Sequence, residues 1–149
     1  ECDIRISTDR AQLGIPPSRL GIIYDYERIQ VFIDLVGPAF TKELFCSGLR
    51  VDPQRALDMG LVNKVVASDQ LELEVYGLAK EFARNAPLSL KGHKRMINTL
   101  VARQHEGSKL NAQDIGEIHA TQQAARDSHD ANEGRVAFAE KRDPVFIGR

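Results

Sequence analysis

Apolar and polar positions are patterned tightly enough along this chain to predict most of its elements. Asp3–Ser7 and Ala11–Ile15 read as two short strands around the polar turn Thr8-Asp9-Arg10. Gly14-Ile15-Pro16-Pro17 interrupts regular structure, and Leu20-Gly21-Ile22-Ile23 reads as an apolar linker. From Tyr26 to Val36, Ile29, Phe32, Ile33 and Val36 recur at three- and four-residue steps, which predicts a helix with one buried face. Gly37-Pro38 stops that helix and starts another, carried by Phe40, Leu44 and Phe45 and ended by Gly48. Asp52 and Pro53 have the chemistry of an N-cap and a first helical residue. Gly60 closes the short helix they open, and Leu61–Val66 reads as a buried strand. Asp69 is read as the cap of a long helix with Leu71, Val75, Leu78, Ala79 and Phe82 on one stripe. Pro87 opens a helix carrying Leu90, Met96, Ile97, Leu100 and Val101. The polar link Gln104–Lys109 follows, then a helix over Leu110–Ala125 with Ile115 and Ile118 inward. Asp127 and Asp130 are the expected caps of a last helix towards Phe138, with Pro144 beyond it. The sum is a helix-rich α/β chain with a few short strands near its start.

Composition adds exclusions. The 149 residues are 42% hydrophobic and 28% charged with net charge -1, which fits one globular domain and gives no basic field for nucleic acid or a membrane surface. Nothing approaches the roughly 18 apolar residues of a membrane span, and Glu1-Cys2-Asp3 does not read as a signal peptide. Cys2 and Cys46 are too few for a disulfide scaffold, so a reducing, cytoplasmic compartment is the default expectation. His93, His105, His119 and His129 lack metal-ligand spacing, and no metal site is expected.

Three segments carry a family resemblance. The run Ala56-Leu57-Asp58-Met59-Gly60-Leu61-Val62-Asn63-Lys64-Val65-Val66 resembles a segment of the crotonase superfamily, the enoyl-CoA hydratases and isomerases. Glu133–Gly148 resembles that family's closing signature, E-G-x-x-A-F-x-E-K-R-x-P-x-F-x-G, and Cys2–Ser7 is similar to its C-D-x-x-I-A strand. The order and approximate spacing agree across the chain. The resemblance implies the C-terminal part of a crotonase-type ββα spiral: residues 1–66 as the end of the spiral core, and 67–149 as a helical region for trimerisation and coenzyme A capping. The N-terminal half of the same subunit would be a partner, in a homotrimer or hexamer.

The chemistry concentrates in Leu20–Arg28, where Tyr24, Asp25, Glu27 and Arg28 crowd the start of a helix. Helix starts favour anions and carry free N–H groups; plain capping by Asp25 and Glu27 is the simpler account of the same residues. The family's hydratases carry a glutamate in a P-E-x-x-L-G motif, whereas this chain reads Pro16-Pro17-Ser18-Arg19-Leu20-Gly21, and proline exchanges no proton. The family's other glutamate is not matched by Glu1. Leu20-Gly21 followed by Tyr24 instead resembles the methylmalonyl-CoA decarboxylase branch, where the tyrosine is thought to orient the departing carboxylate. Asp25 matches a catalytic aspartate of the dienoyl-CoA isomerase branch. Phe138 and Lys141 match family positions that meet the adenine and 3'-phosphate of coenzyme A; as residues alone, they fit a core stripe and a solvated run. Lys91, Lys94 and Arg95 form a basic helix face, open to phosphate or to water.

The resemblance implies an acyl-CoA-processing enzyme that acts through a stabilised thioester enolate, with the coenzyme A thioester as substrate and no separate cofactor. Catalytic candidates are Tyr24, Asp25 and Glu27; coenzyme A candidates are Phe138 and Lys141. Classical hydration is the alternative, as is a non-catalytic assembly module that keeps only the helical half.

Overall fold

A computed structural model describes residues 2–149; Glu1 lies outside the described residues. Among them the chain forms β1 (Ile6–Thr8), α1 (Pro17–Leu20), α2 (Tyr26–Ser47), α3 (Pro53–Asp58), β2 (Lys64–Val66), α4 (Leu71–Arg84), α5 (Pro87–His105), α6 (Ala112–Arg126) and α7 (His129–Glu140). The mostly helical α/β architecture expected from the pattern is present. Two compact units divide within α4, one ending at Tyr76 and the other spanning Gly77–Arg149.

In the first unit β1 and β2 pair in parallel, Ile6 opposite Lys64, Ser7 opposite Val65 and Thr8 opposite Val66. Side chains lengthen this short ladder. The Arg5 N–H donates to Asn63 Oδ1 at 2.8 Å and its guanidinium Nε to the Leu61 carbonyl at 2.7 Å. The hairpin expected around Thr8-Asp9-Arg10 does not form. Ala11–Ile15 contributes a single antiparallel bridge, Leu13 to Val51, because Pro16 and Pro17 follow and because the backbone crowds Gly14. A Cβ on Gly14 would sit 3.0 Å from the Leu49 carbonyl oxygen. Asp9, read as a turn residue, accepts from the Ser68 N–H and hydroxyl, so it braces the chain after β2.

The helix over Tyr26–Ser47 breaks where Gly37-Pro38 predicts. Gly37 has φ 76° and ψ 166°, a conformation almost confined to glycine, and Pro38 restarts the helix. The break lets both halves contribute to one core. Val36, Leu44, Phe45 and Met59 are buried together, with Tyr24 and Phe32 packed against them. Asp52 caps α3 by accepting from the Arg55 N–H at 2.8 Å, and Arg55 returns to α2, donating to both oxygens of Glu43 and covering the Phe40 ring at 5.0 Å. Pro53, Ala56 and Met59 are the buried residues of this turn.

Three local readings need correction. The linker at Leu20 ends a helical turn, α1, whose Ser18 hydroxyl donates to the Phe45 carbonyl at 2.5 Å. Asp69 does not cap a helix; it lies inside a 3-10 turn, Ser68–Gln70, that leads into α4. The last helix is capped by Ser128, whose hydroxyl oxygen accepts from the Ala131 N–H, while Asp127 closes α6. Asp130 is drawn away from capping by a stronger set of donors described below.

In the second unit α5 and α6 are joined by ion pairs. Arg103 grips Asp114 through two hydrogen bonds of 2.7 and 2.9 Å, and Arg95 pairs with Glu117. Asn111 and Asp114 form a reciprocal capping box at the start of α6. The apolar stripes read for these helices stay largely uncovered: α5 buries only Gly92, α6 buries nothing, and Ile115 is exposed rather than inward.

Candidate functional site

Tyr24 is the half-buried residue of the loop Gly21–Asp25. Its ring stands edge-on to Phe45, with centroids 5.9 Å apart and planes at 89°. Phe45 is itself fixed against Phe32 at 5.2 Å, so one side of Tyr24 rests on the core. The Arg28 guanidinium lies over the ring, 5.6 Å from its centroid. Asp25 caps α2 by accepting from the Arg28 N–H at 3.1 Å, and its other oxygen lies 3.4 Å from Arg28 Nε. Glu27 is exposed in the first turn. The three loop candidates therefore meet as two groups: Tyr24 and Asp25 share Arg28, while Glu27 faces solvent. Leu20, Ile23 and Tyr26 around them are exposed, Ile23 by 93%.

Upstream, Pro17 is buried at the first position of α1, with Gly21 closing that turn in the left-handed region. No ionisable side chain occupies that position. The role of Phe45 as the partner of Tyr24 is not legible from the sequence, because the two residues meet only through the folding of α2 back over the loop.

In the second unit Phe138 is 88% exposed, so it does not belong to the core stripe that helical spacing allowed. With Phe146, Gly134 and Leu88 it borders an open hollow of ≈540 Å³. Lys141 ends α7 in the left-handed conformation, φ 55° and ψ 42°, with its side chain in solvent. Its N–H returns to the Phe138 carbonyl at 3.3 Å, which ties the two coenzyme A candidates to one helix end. Lys91 and Lys94 border a shallow hollow of ≈550 Å³, where Arg95 is already committed to Glu117.

The C-terminal tail is clasped to α7 by two carboxylates. Asp130, buried, accepts from the N–H groups of Ile147 and Gly148, both at 2.8 Å. Burial alone would push its carboxyl up, but those donors and the neighbouring His129 outweigh it and hold it below the ordinary value. Glu133 is brought down to about 2, chiefly by Arg142, which donates to both its oxygens, and then by the Val145 N–H. The sequence offered no signal for this beyond the isolated acids. Among the described residues no cluster of His, Cys, Asp or Glu could hold a metal, and no helix is long and apolar enough to cross a membrane.

The sequence model described as enoyl-CoA hydratase/isomerase matches residues 1–149. A "probable enoyl-CoA hydratase" of Bacillus subtilis (strain 168) is 38% identical over 99% of this chain and 55% of its own length. Carnitinyl-CoA dehydratase of Escherichia coli (strain K12) is 31% identical over 99% of the chain and 56% of its own. Among solved structures, an enoyl-CoA hydratase/carnithine racemase from Magnetospirillum magneticum superposes with a TM-score of 0.85 at 30% identity, covering 99% of this chain and 52% of that one. An enoyl-CoA hydratase from Bacillus anthracis gives 0.86 at 29% identity, covering 99% and 55%. The chain spans about half the length of the curated relatives it matches.

Proposed function

The chain belongs to the enoyl-CoA hydratase/isomerase family, and from that premise we propose that it serves an acyl-CoA enzyme working through a thioester enolate, with decarboxylation of a methylmalonyl-CoA-like substrate favoured over two-glutamate hydration. The observation that carries this reading is Pro17, buried where the hydratase motif has its glutamate. A proline ring cannot hand a proton to, or take one from, a water that adds across a double bond. Decarboxylation makes no such demand. The C–C bond to the carboxylate breaks, its electron pair passes to the α-carbon and the thioester oxygen, carbon dioxide leaves, and a proton then closes the α-carbon. The rate depends on stabilising the enolate oxygen and on orienting the carboxylate.

Tyr24 is the group proposed to orient it. A phenol can donate one hydrogen bond to the carboxylate without the charge pairing that would stabilise it against departure. Asp25 and Glu27 stand behind it as exposed carboxylates. Phe138 would meet the adenine face and Lys141 the 3'-phosphate of coenzyme A. The enolate-holding N–H groups belong, by the family resemblance, to the part of the fold outside these residues. That N-terminal half is therefore a required partner, in a homotrimer or hexamer. Exposed Leu20, Ile23 and Leu49 support the need for a covering surface.

A second reading, hydration or dehydration, is favoured by the printed activities of the Bacillus subtilis and Escherichia coli relatives. Glu27 would then act in place of the absent glutamate. Steady-state kinetics of the full-length protein separate the two. Turnover of methylmalonyl-CoA exceeding that of crotonyl-CoA is expected, and Tyr24→Phe should lower the former roughly 10–100-fold. Efficient crotonyl-CoA hydration that Tyr24→Phe leaves intact defeats the proposal. Failure of the full-length protein to bind labelled coenzyme A would favour the non-catalytic module.

A further inference from the structure

Asp25 caps α2, but its ion pair with Arg28 is poorly placed to add stability. The Arg28 and Asp25 side chains are 68% and 50% exposed, so the pair contributes little to folding. Yet Asp25 is held as the α2 cap, Arg28 is held by Asp25, and the guanidinium covers the Tyr24 ring, which also packs against Phe45. The ring therefore makes one contact with the core and one with a cation. A planar guanidinium suits that stacking better than an ammonium does.

We infer that Arg28, steadied by Asp25, is a positioning residue that fixes the direction of the Tyr24 phenol towards the acyl carboxylate. The inference rests on the decarboxylase reading of Tyr24 given above. It also assigns Asp25 to holding Arg28 rather than to carrying protons. The charge arrangement agrees with the chemistry. A guanidinium free to grip the substrate carboxylate would stabilise the ground state and slow the loss of carbon dioxide. Neutralised by Asp25 and spread over an aromatic face, Arg28 orients the phenol without competing for the substrate.

The test uses the full-length protein with methylmalonyl-CoA and compares Arg28→Ala, Arg28→Lys and Tyr24→Phe. Arg28→Ala should lower kcat about tenfold or more while KM stays within about twofold, because orientation rather than binding is lost. Arg28→Lys should recover part of kcat, since a cation returns over the ring without the planar fork. Thermal unfolding should be unchanged in both variants, which separates positioning from folding. An unaltered kcat in Arg28→Ala overturns the inference, and so does a raised KM with kcat intact, which would make Arg28 a direct substrate contact. Loss of activity in Tyr24→Phe without loss in Arg28→Ala removes the clamp alone. Full activity in Tyr24→Phe removes the decarboxylase reading itself.

Discussion

Lys141 combines two features that substitution can separate. It is the one non-glycine among the described residues with positive φ, and its side chain is the proposed phosphate contact. Lys141→Gly relieves the backbone while removing the charge, so Tm should hold or rise by roughly 1–3 °C while KM for coenzyme A thioesters increases several-fold. Phe138→Ala should also raise KM; since that ring is 88% exposed, Tm should stay within about 1 °C. Both effects are read by steady-state kinetics beside calorimetry. Asp130 and Glu133 make a different prediction. Both carboxyls are held below their ordinary values in the folded chain, so their contribution is complete above the ordinary glutamate value of 4.5. It fades as pH falls towards about 2, where Glu133 finally takes a proton. The protection of the Val145, Ile147 and Gly148 amides against hydrogen exchange, relative to their intrinsic rates, should fall across that acid window. Glu133→Gln should lower that protection at neutral pH and flatten its pH dependence.

Elements were legible where the signal is local. Asp25, Gly37-Pro38, Gly48, Asp52-Pro53 and Pro87 mark helix ends because a cap or a fixed φ acts within one turn, and each stands at the boundary it marked. Strands were harder. Ala11–Ile15 alternates correctly yet pairs only at Leu13, since its partner is chosen by tertiary packing. Ser128, Asp127 and Asp130 all have the chemistry of a cap, and the tail N–H groups that claim Asp130 lie far along the chain. For the candidate site, the loop residues were visible as a cluster, but the ring contacts with Phe45 and Arg28 required coordinates. At the α2 break, Gly37→Ala should cost about 1–3 kcal/mol, measured by denaturant unfolding. Nothing lies within 4 Å of a Cβ there, so the cost is conformational rather than steric.

Across the whole molecule, each unit leaves large side chains in water. In the first, Ile23, Tyr26 and Leu49 are exposed; in the second, Ile97, Phe138 and Val145 are. Single exposed apolar residues need no explanation, but helices with no buried stripe do. The trimer proposed above supplies one, and sedimentation equilibrium of the full-length protein should return three or six subunit masses; a sharp monomer at micromolar concentration would contradict it.

The parallel pairing of β1 with β2 also bears on how the chain acquires its structure. Arg5 meets Asn63 across 58 positions of sequence, whereas α5 and α6 lie next to each other along the chain. Long loops close slowly and short ones quickly. During synthesis β1 emerges ahead of β2 and cannot make this pairing until β2 has followed it out, a waiting interval in which that strand edge is available to the wrong neighbour.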